Sequence, residues 1–363
     1  MKLNGSQIQT MDEWRFCPMA NFICPTARCT KNEVNTPRGL AFTAFRIHRG
    51  DLLPEPSATR VFYECSTGGL CATKALDGTD VPALIRAVRA NLVGSGHAPI
   101  PVEEARARIL LYESLDGSHA EQDAPGSEWA EALLIGTPWL TEAHQIQYRA
   151  AVALLQQAGV AFATPSAPIG SAGLLYELGY SDDAREALLK LFEAVETTKP
   201  KRVVFPSPYD LRAIRAFASE LGIDPPGGVE WWTAATWIGS LVEEGRLEIK
   251  QPLAGATGLL EPSYAVHELG ETHQALFRAV VSEPIDLRWP GEATRTCGGA
   301  TLSAVYPDLA ASVMAKTAEE AMVHRTVDRL VSSCPFVVSE LRVSGLAIAA
   351  TDLLTVLVEA VGG

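Results

Sequence analysis

No Gly-x-Gly-x-x-Gly sequence follows a strand-like run in these 363 residues, and no Walker-type loop occurs, so nucleotide binding is not indicated. Positive charge is scarce. With 30 Lys and Arg against 43 Asp and Glu the net charge is −13, which argues against a nucleic-acid partner, because such binding rests on neutralising phosphates. The basic stretch RGLAFTAFRIHRG (38–50) is too short to reverse this. Residues 1–15 carry Asp12 and Glu13 and no apolar run of signal-peptide length, so the expected location is the cytoplasm, where disulfides are not expected. The apolar tail GLAIAATDLLTVLVEAV (345–361) is broken by Asp352 and Glu359 and falls short of a membrane span. It reads as a terminal helix packed on the body or on a partner subunit. There is also no C-x2-C pair, the spacing that zinc knuckles favour.

What is present suffices for a sizeable core: 47% of residues are hydrophobic and 20% charged, and the length suits two or three domains. Residues 1 to about 96 read as irregular and rich in Pro, Gly and Thr, with short helical pieces such as VPALIRAVRANLV (81–93), the texture of loops stabilised by a cofactor. Beyond them apolar strand-like runs alternate with amphipathic helices, the pattern of an α/β domain with a central sheet. Strands are expected at RILLYES (108–114), EALLIGT (131–137), VAFAT (160–164), RVVFPSP (202–208), VEWWTAA (229–235), IDLRWP (285–290) and TVDRLVSSCP (326–335). Helices are expected at 142–159, 181–198, 210–222, 272–281 and 308–322. A weak internal repeat relates 170–211 to 296–341: each runs loop, amphipathic helix, strand, then a Ser-Pro or Cys-Pro step.

Seven cysteines occur, five of them early: Cys17, Cys24 and Cys29 in FCPMANFICPTARCTKNEVNTPRG (16–39), then Cys65 and Cys71 in YECSTGGLCATKAL (63–76). Clustered intracellular cysteines with Cys-Pro steps point to metal or iron-sulfur ligation, since thiolates suit both and proline stops the turn continuing as helix. The bland alternative is that cysteine is a small buried hydrophobe, which weighs most for Cys297 and Cys334. His267 and His273 are six apart and share no helix face, so they read as solvated or satisfied histidines. Trp231, Trp232 and Trp237 read as core or subunit interface, and Asp182 and Asp183 as a helix cap.

On these residues the chain resembles the cysteine-rich iron-sulfur oxidoreductase subunits, typified by the glycolate oxidase iron-sulfur subunit and the heterodisulfide reductase B-type subunit, over nearly its whole length. CPTARCTKNEVNTPRGL matches in length the family's segment from Cys-Pro to a DSPRG-like sequence, from Cys24-Pro25 through Pro37-Arg38-Gly39. TCGGATLSAVYPDLA and VSSCPFVVSEL are similar to the family's second repeat at Cys297-Gly298 and Cys334-Pro335. The departures are as informative. In the first C-x2-C-x2-C-x3-C-P motif, cysteines are expected at Trp14, Cys17, Ala20 and Cys24; in the second, Gly68 and Ala75 replace cysteines beside Cys65 and Cys71. The repeats are eroded too, with Gly170-Ser171 and SPYD in the first and with Ser263, Thr296 and Val337 at cysteine positions of the second.

The resemblance implies an α/β chain with an irregular/helical ferredoxin-like module at 1–100, followed by two tandem repeats of the cysteine-rich domain type at 101–225, whose cysteines are lost, and 226–363. Because the fourth cysteine of each ferredoxin motif serves the other cluster, it implies one retained [4Fe-4S] cluster on Cys24, Cys65, Cys71 and Cys17. Cys29 is the competitor for the fourth position, and a [3Fe-4S] cluster is the variant if neither supplies it. Cys297 and Cys334 are candidates for a remnant site. The implied function is a non-catalytic electron-transfer subunit of a 2-hydroxy-acid-dehydrogenase-like oxidoreductase, partnered by a flavoprotein subunit and peripheral to a membrane complex. The competing expectation is a degenerate scaffold subunit with no working cluster.

Overall fold

The apolar runs ALLI and RVVF have the composition of strands covered by helices on both faces of a parallel sheet. The chain is described here by a computed structural model covering residues 1–74, 79–111, 130–136, 141–165, 169, 171–295 and 299–362. In it, β1 (Ala132–Leu134), β2 (Phe162–Ala163), β3 (Arg202–Phe205) and β4 (Glu230–Thr233) form a parallel sheet in the order β2-β1-β3-β4. Leu133 stands opposite both Ala163 and Val203. A second parallel sheet of β5 (Leu253–Leu259), β6 (Val281–Ile285), β7 (Arg329–Ser332) and β8 (Ala349–Asp352) repeats the same order, β6-β5-β7-β8. The first sheet therefore extends past the expected boundary at 225.

Successive strand residues feed different cores, as the two-residue strand period requires. Leu133, Val203 and Leu330 join a core that includes Trp14, Leu40 and Leu84 of the N-terminal helices. Leu134, Val204 and Val331 point the other way, into a core shared by both sheets and by helices Glu142–Gln157, Ala234–Glu243, Gln274–Val280 and Leu353–Gly362. Of the expected terminal helix only Leu353–Gly362 forms, the part at 349–352 being β8, and its buried residues join this shared core.

Several expectations need correction. The N-terminal hundred residues are mostly helical among those described: Gly5–Trp14, Pro25–Thr30, Pro37–Arg49, Pro56–Tyr63 and Val81–Gly94, then Ile100–Leu110. Proline misleads there because Pro25, Pro37, Pro56 and Pro82 occupy first helical turns, where the missing N–H costs nothing. Arg108–Leu110 of the expected strand RILLYES closes a helix whose buried Val102, Ala105 and Ile109 recur at helical spacing, and 112–114 lies outside the described residues. The strand expected at 285–290 ends at Ile285, since the helix before it stops at Val280 and the chain extends at once. Strands β5 and β8 were not expected at all. Among the described residues, no helix is long and apolar enough to cross a membrane.

Candidate functional site

Cys24 caps the short helix Pro25–Thr30, and two hydrogen bonds fasten that turn to the end of helix Pro56–Tyr63: the Thr26 hydroxyl donates to the Glu64 carbonyl (3.2 Å) and the Asn35 amide to the Glu64 carboxylate (2.6 Å). Cys65 follows directly. From there the chain bends through Thr67 (φ 46°) and Gly69 (φ 79°) to Cys71. A left-handed threonine is strained, because its branched Cβ crowds the backbone, and such strain persists only where surroundings enforce it. The result is one cavity enclosing about 470 Å³ of atom-free space, part of it open to solvent. Cys24, Cys65 and Cys71 line it, with apolar walls from Pro37, Leu40, Leu70 and Val81. Ser263, just past the C-terminal end of β5, closes one side, which sets the cavity where open α/β sheets place their ligands.

Burial is the main cause that pushes all three thiols up, Cys24 to about 12, and mutual repulsion adds to it: Cys65 acts on Cys24, and Cys65 and Cys24 act on Cys71. Arg89 works in the opposite direction on Cys65. Three thiolates lining one such cavity would need a multivalent cationic centre or protons. Backbone N–H groups already face the sulfurs, from Thr26 and Ala27 to Cys24, Thr67 to Cys65 and Ala72 to Cys71. Soft donors, N–H groups on the sulfurs and an apolar surround form a set that fits an iron-sulfur cluster. Among the described residues no group of three or more His, Cys, Asp or Glu is placed to hold a metal ion. A lone ion gathers its sulfurs within roughly 2.3 Å, whereas a cluster spreads them over separate irons.

Beneath the loop lies a charged network that sequence reasoning missed. Arg89, fully buried, donates to the carbonyls of Phe62 (2.8 Å) and Cys65 (2.6 Å) and pairs with Glu177 (3.2 Å). Arg212 donates to the Thr67 carbonyl (2.9 Å) and pairs with Glu177 (3.1 Å) and Glu268 (2.5 Å). The Thr67 hydroxyl donates to Glu177, so both polar ends of the strained residue are held. Burial alone would push the Glu177 carboxyl up, but Arg212, Arg86 and Arg89 outweigh it and hold it below the ordinary range. The one sequence signal was a charge set inside an apolar helical face, Arg89 between Val88 and Leu92.

The other expected residues go elsewhere. Cys17 packs against the main core and Cys29 beside Leu302 and Val313; neither lines the cavity. Trp14 and Ala20, two of the expected cysteine positions, are buried, and the Trp14 indole donates to Thr79 (2.7 Å). Cys334 is buried against the Tyr264 hydroxyl (3.2 Å), with burial pushing its thiol up to about 12. Cys297, with Gly170, Ala75 and Thr296, lies outside the described residues. Gly68 lies in the cavity wall without a thiol. His273 is buried and bonded to Thr236 (3.2 Å), Trp237 is core, and Asp183 pairs with Arg106 from the first turn of its helix rather than capping it.

No family model matches the chain, and no curated protein matches it. Among solved structures it is similar to a hypothetical protein from Helicobacter pylori, with a TM-score of 0.59 at 12% identity over 99% of this chain and 73% of that one. At that identity the likeness speaks for the α/β fold alone.

Proposed function

We propose that the chain is a non-catalytic electron-transfer subunit of an oxidoreductase and that Cys24, Cys65 and Cys71 hold one iron-sulfur cluster of the three-iron type. The convergence of these three thiols, and no other described cysteine, on one cavity carries the reading. Cys17 and Cys29 stand away from it, and Gly68 offers no ligand, so three thiolates fit better than four. Such a cluster would supply one-electron transfer. The chain's own part is to hold the loop in its left-handed bend, to direct N–H groups at the sulfurs, and to exclude water with Pro37, Leu40 and Val81. On this reading the N-terminal helices are a ferredoxin-like module, the two sheets are repeats of the cysteine-rich domain type, and a flavoprotein subunit of a membrane-peripheral complex is the electron source.

The test is anaerobic preparation with iron and sulfide analysis and electron paramagnetic resonance. Three irons per chain are expected, lost on replacing Cys24, Cys65 or Cys71 by Ser and kept on replacing Cys17, Cys29 or Cys334. Equal iron content in all six variants refutes it. A scaffold subunit is the second reading, favoured by the raised thiols and by the lack of a preformed ion site among the described residues. A colourless protein after reconstitution supports it.

A further inference from the structure

Three guanidinium groups gather on the ring of Trp289 without the anions that would balance them. The Cζ atoms of Arg295, Arg288 and Arg28 lie 4.3, 5.1 and 5.8 Å from the centre of the indole. Trp289 packs against the main core, and its loop is pinned at both ends. The Arg288 N–H donates to the Ala321 carbonyl (2.9 Å), where helix Pro307–Ala321 ends, and the Thr294 hydroxyl donates to the Glu261 carbonyl (2.6 Å). Arg28 arrives from another element, helix Pro25–Thr30. The platform is therefore built from two separate parts of the chain and held in place.

One carboxylate meets this group. Glu320 pairs with Arg28 at 2.5 Å and lies 3.8 Å from Lys316, which Glu319 also approaches at 3.9 Å. Among the described residues neither Arg288 nor Arg295 has a carboxylate within ion-pair distance, and Glu292, in the same loop, reaches none of the three arginines. With 43 acidic residues against 30 Lys and Arg, a carboxylate is the ordinary partner of an arginine here, as Arg86, Arg106, Arg202 and Arg212 each show. Burial and, after it, the charges of Arg28 and Arg288 pull the Arg295 guanidinium below its ordinary pKa, so the gathered charges oppose one another.

The charge count selects the ligand. Three guanidinium charges against the Glu320 carboxylate leave +2 on the ring cluster. A phosphate group carries about −1.5 to −2 at neutral pH and presents three strong acceptor oxygens, and the planar guanidinium fork matches them. One carboxylate would leave the cluster charged. Guanidiniums gathered on one ring concentrate charge at a point, which suits a single multiply charged group better than carboxylates spread along an acidic peptide.

We propose that Arg28, Arg288 and Arg295 on Trp289 form a binding site for a phosphate dianion, free or as the terminal group of a phosphomonoester. The site does not rest on the electron-transfer reading. Arg28 lies on the helix that Cys24 caps, so the anion site and the thiol cavity share that element.

Isothermal titration calorimetry of the full chain with inorganic phosphate and with phenyl phosphate, in phosphate-free buffer at constant ionic strength, tests the proposal. The expected result is one ligand per chain, bound at least tenfold more weakly by the R288Q/R295Q variant. Without phosphate that variant should melt with the parent, since neither side chain makes an ion pair, and phosphate should raise the parent's melting temperature more than the variant's. Tighter binding of phenyl phosphate assigns a phosphomonoester, and binding of phosphate at least as tight assigns the free ion. Should the double variant melt early, R288Q alone, whose side chain is exposed, should still weaken binding at least threefold. Absence of saturable heat from both ligands overturns the proposal, whether or not polyglutamate binds in their place, as does equal affinity in parent and variants.

Discussion

Replacing Glu177 by Gln should be among the most damaging single changes to this chain. Its carboxylate faces Arg212 at 3.1 Å, Arg89 at 3.2 Å and Arg86 at 3.6 Å, and it is fully buried. At an effective dielectric of ~20, one unit pair at such a distance is worth about 5 kcal/mol before desolvation is subtracted. Arg212 would keep Glu268 and Arg86 would keep Glu220 at 3.6 Å, but Arg89 would be left with carbonyl acceptors only. Removing one partner of a buried pair costs about 3–5 kcal/mol, because the charge left behind is uncompensated. At about 2 °C per kcal/mol for a chain of this length, the melting temperature should fall by roughly 6–10 °C. The Thr67 hydroxyl exchanges a charged acceptor for at best a neutral amide oxygen in the same step, so Cys65 and Cys71 should react with a thiol reagent at temperatures well below global melting. Acid gives an independent check. Because the Glu177 carboxyl is held below the ordinary range, its stabilisation is complete above the unfolded carboxylate pKa and is lost as pH falls through the lowered folded value. The parent should therefore lose more stability on acidification below about pH 4.5 than the Gln variant does. A variant that melts within 2 °C of the parent, with unchanged thiol reactivity, would show that the network does not brace the loop.

If the proposed cluster is present, Gly68→Cys, which adds a thiol to the cavity wall, should convert a three-iron cluster to a four-iron one and abolish the paramagnetic signal of the oxidised state; persistence of that signal at full iron content refutes the assignment. Gly39→Ala should destabilise by about 1–3 kcal/mol in chemical denaturation, because an added Cβ would meet the Glu33 carbonyl oxygen at 2.2 Å and Val34 Cα at 2.7 Å; an unchanged midpoint counts against that packing. Glu340→Gln should be more stable than the parent at pH 9 and no more stable at pH 4. Burial raises this carboxyl from 4.5 to about 8, so the parent loses stability as pH rises from the unfolded to the folded value, and parallel pH profiles would refute the reasoning.

The grouping of Cys24 with Cys65 and Cys71 was expected only through the resemblance and its interleaved ligation, which also named Cys17; the Cys24-Pro25 step was read as ending a helix, whereas it starts one. The brace beneath these thiols was not legible in the sequence, because its partners are remote, with Arg89 and Glu177 88 residues apart and Thr67 and Arg212 145 apart. Strand β5 was missed for a related reason. LAGATGL has a single β-branched residue, Thr257, among small ones, and its Gly258 is explained only by Leu287, whose Cδ2 would lie 2.7 Å from an added Cβ. Strand β8 was hidden because AATD merges into the apolar helix after it. Helices such as Ser181–Thr198 were read to the residue, since an amphipathic stripe of that length states its own limits.

Residues near the second sheet bear directly on the loop that carries Cys65 and Cys71. Ser263, which stands where the family pattern has a cysteine, donates to the Gly68 carbonyl at 2.6 Å. Gly299, next to the eroded Cys-Gly turn, lets Ser66 approach to within 2.6 Å of where its Cβ would be. Glu268 reaches the loop through Arg212. A thiol at position 263 would be a weak donor to that carbonyl, so a serine there holds the loop better than a cysteine would. The sheets thus bring three separate groups to bear on one seven-residue bend, from Cys65 to Cys71. A scaffold with no cluster to hold would gain little from fixing a strained threonine so firmly.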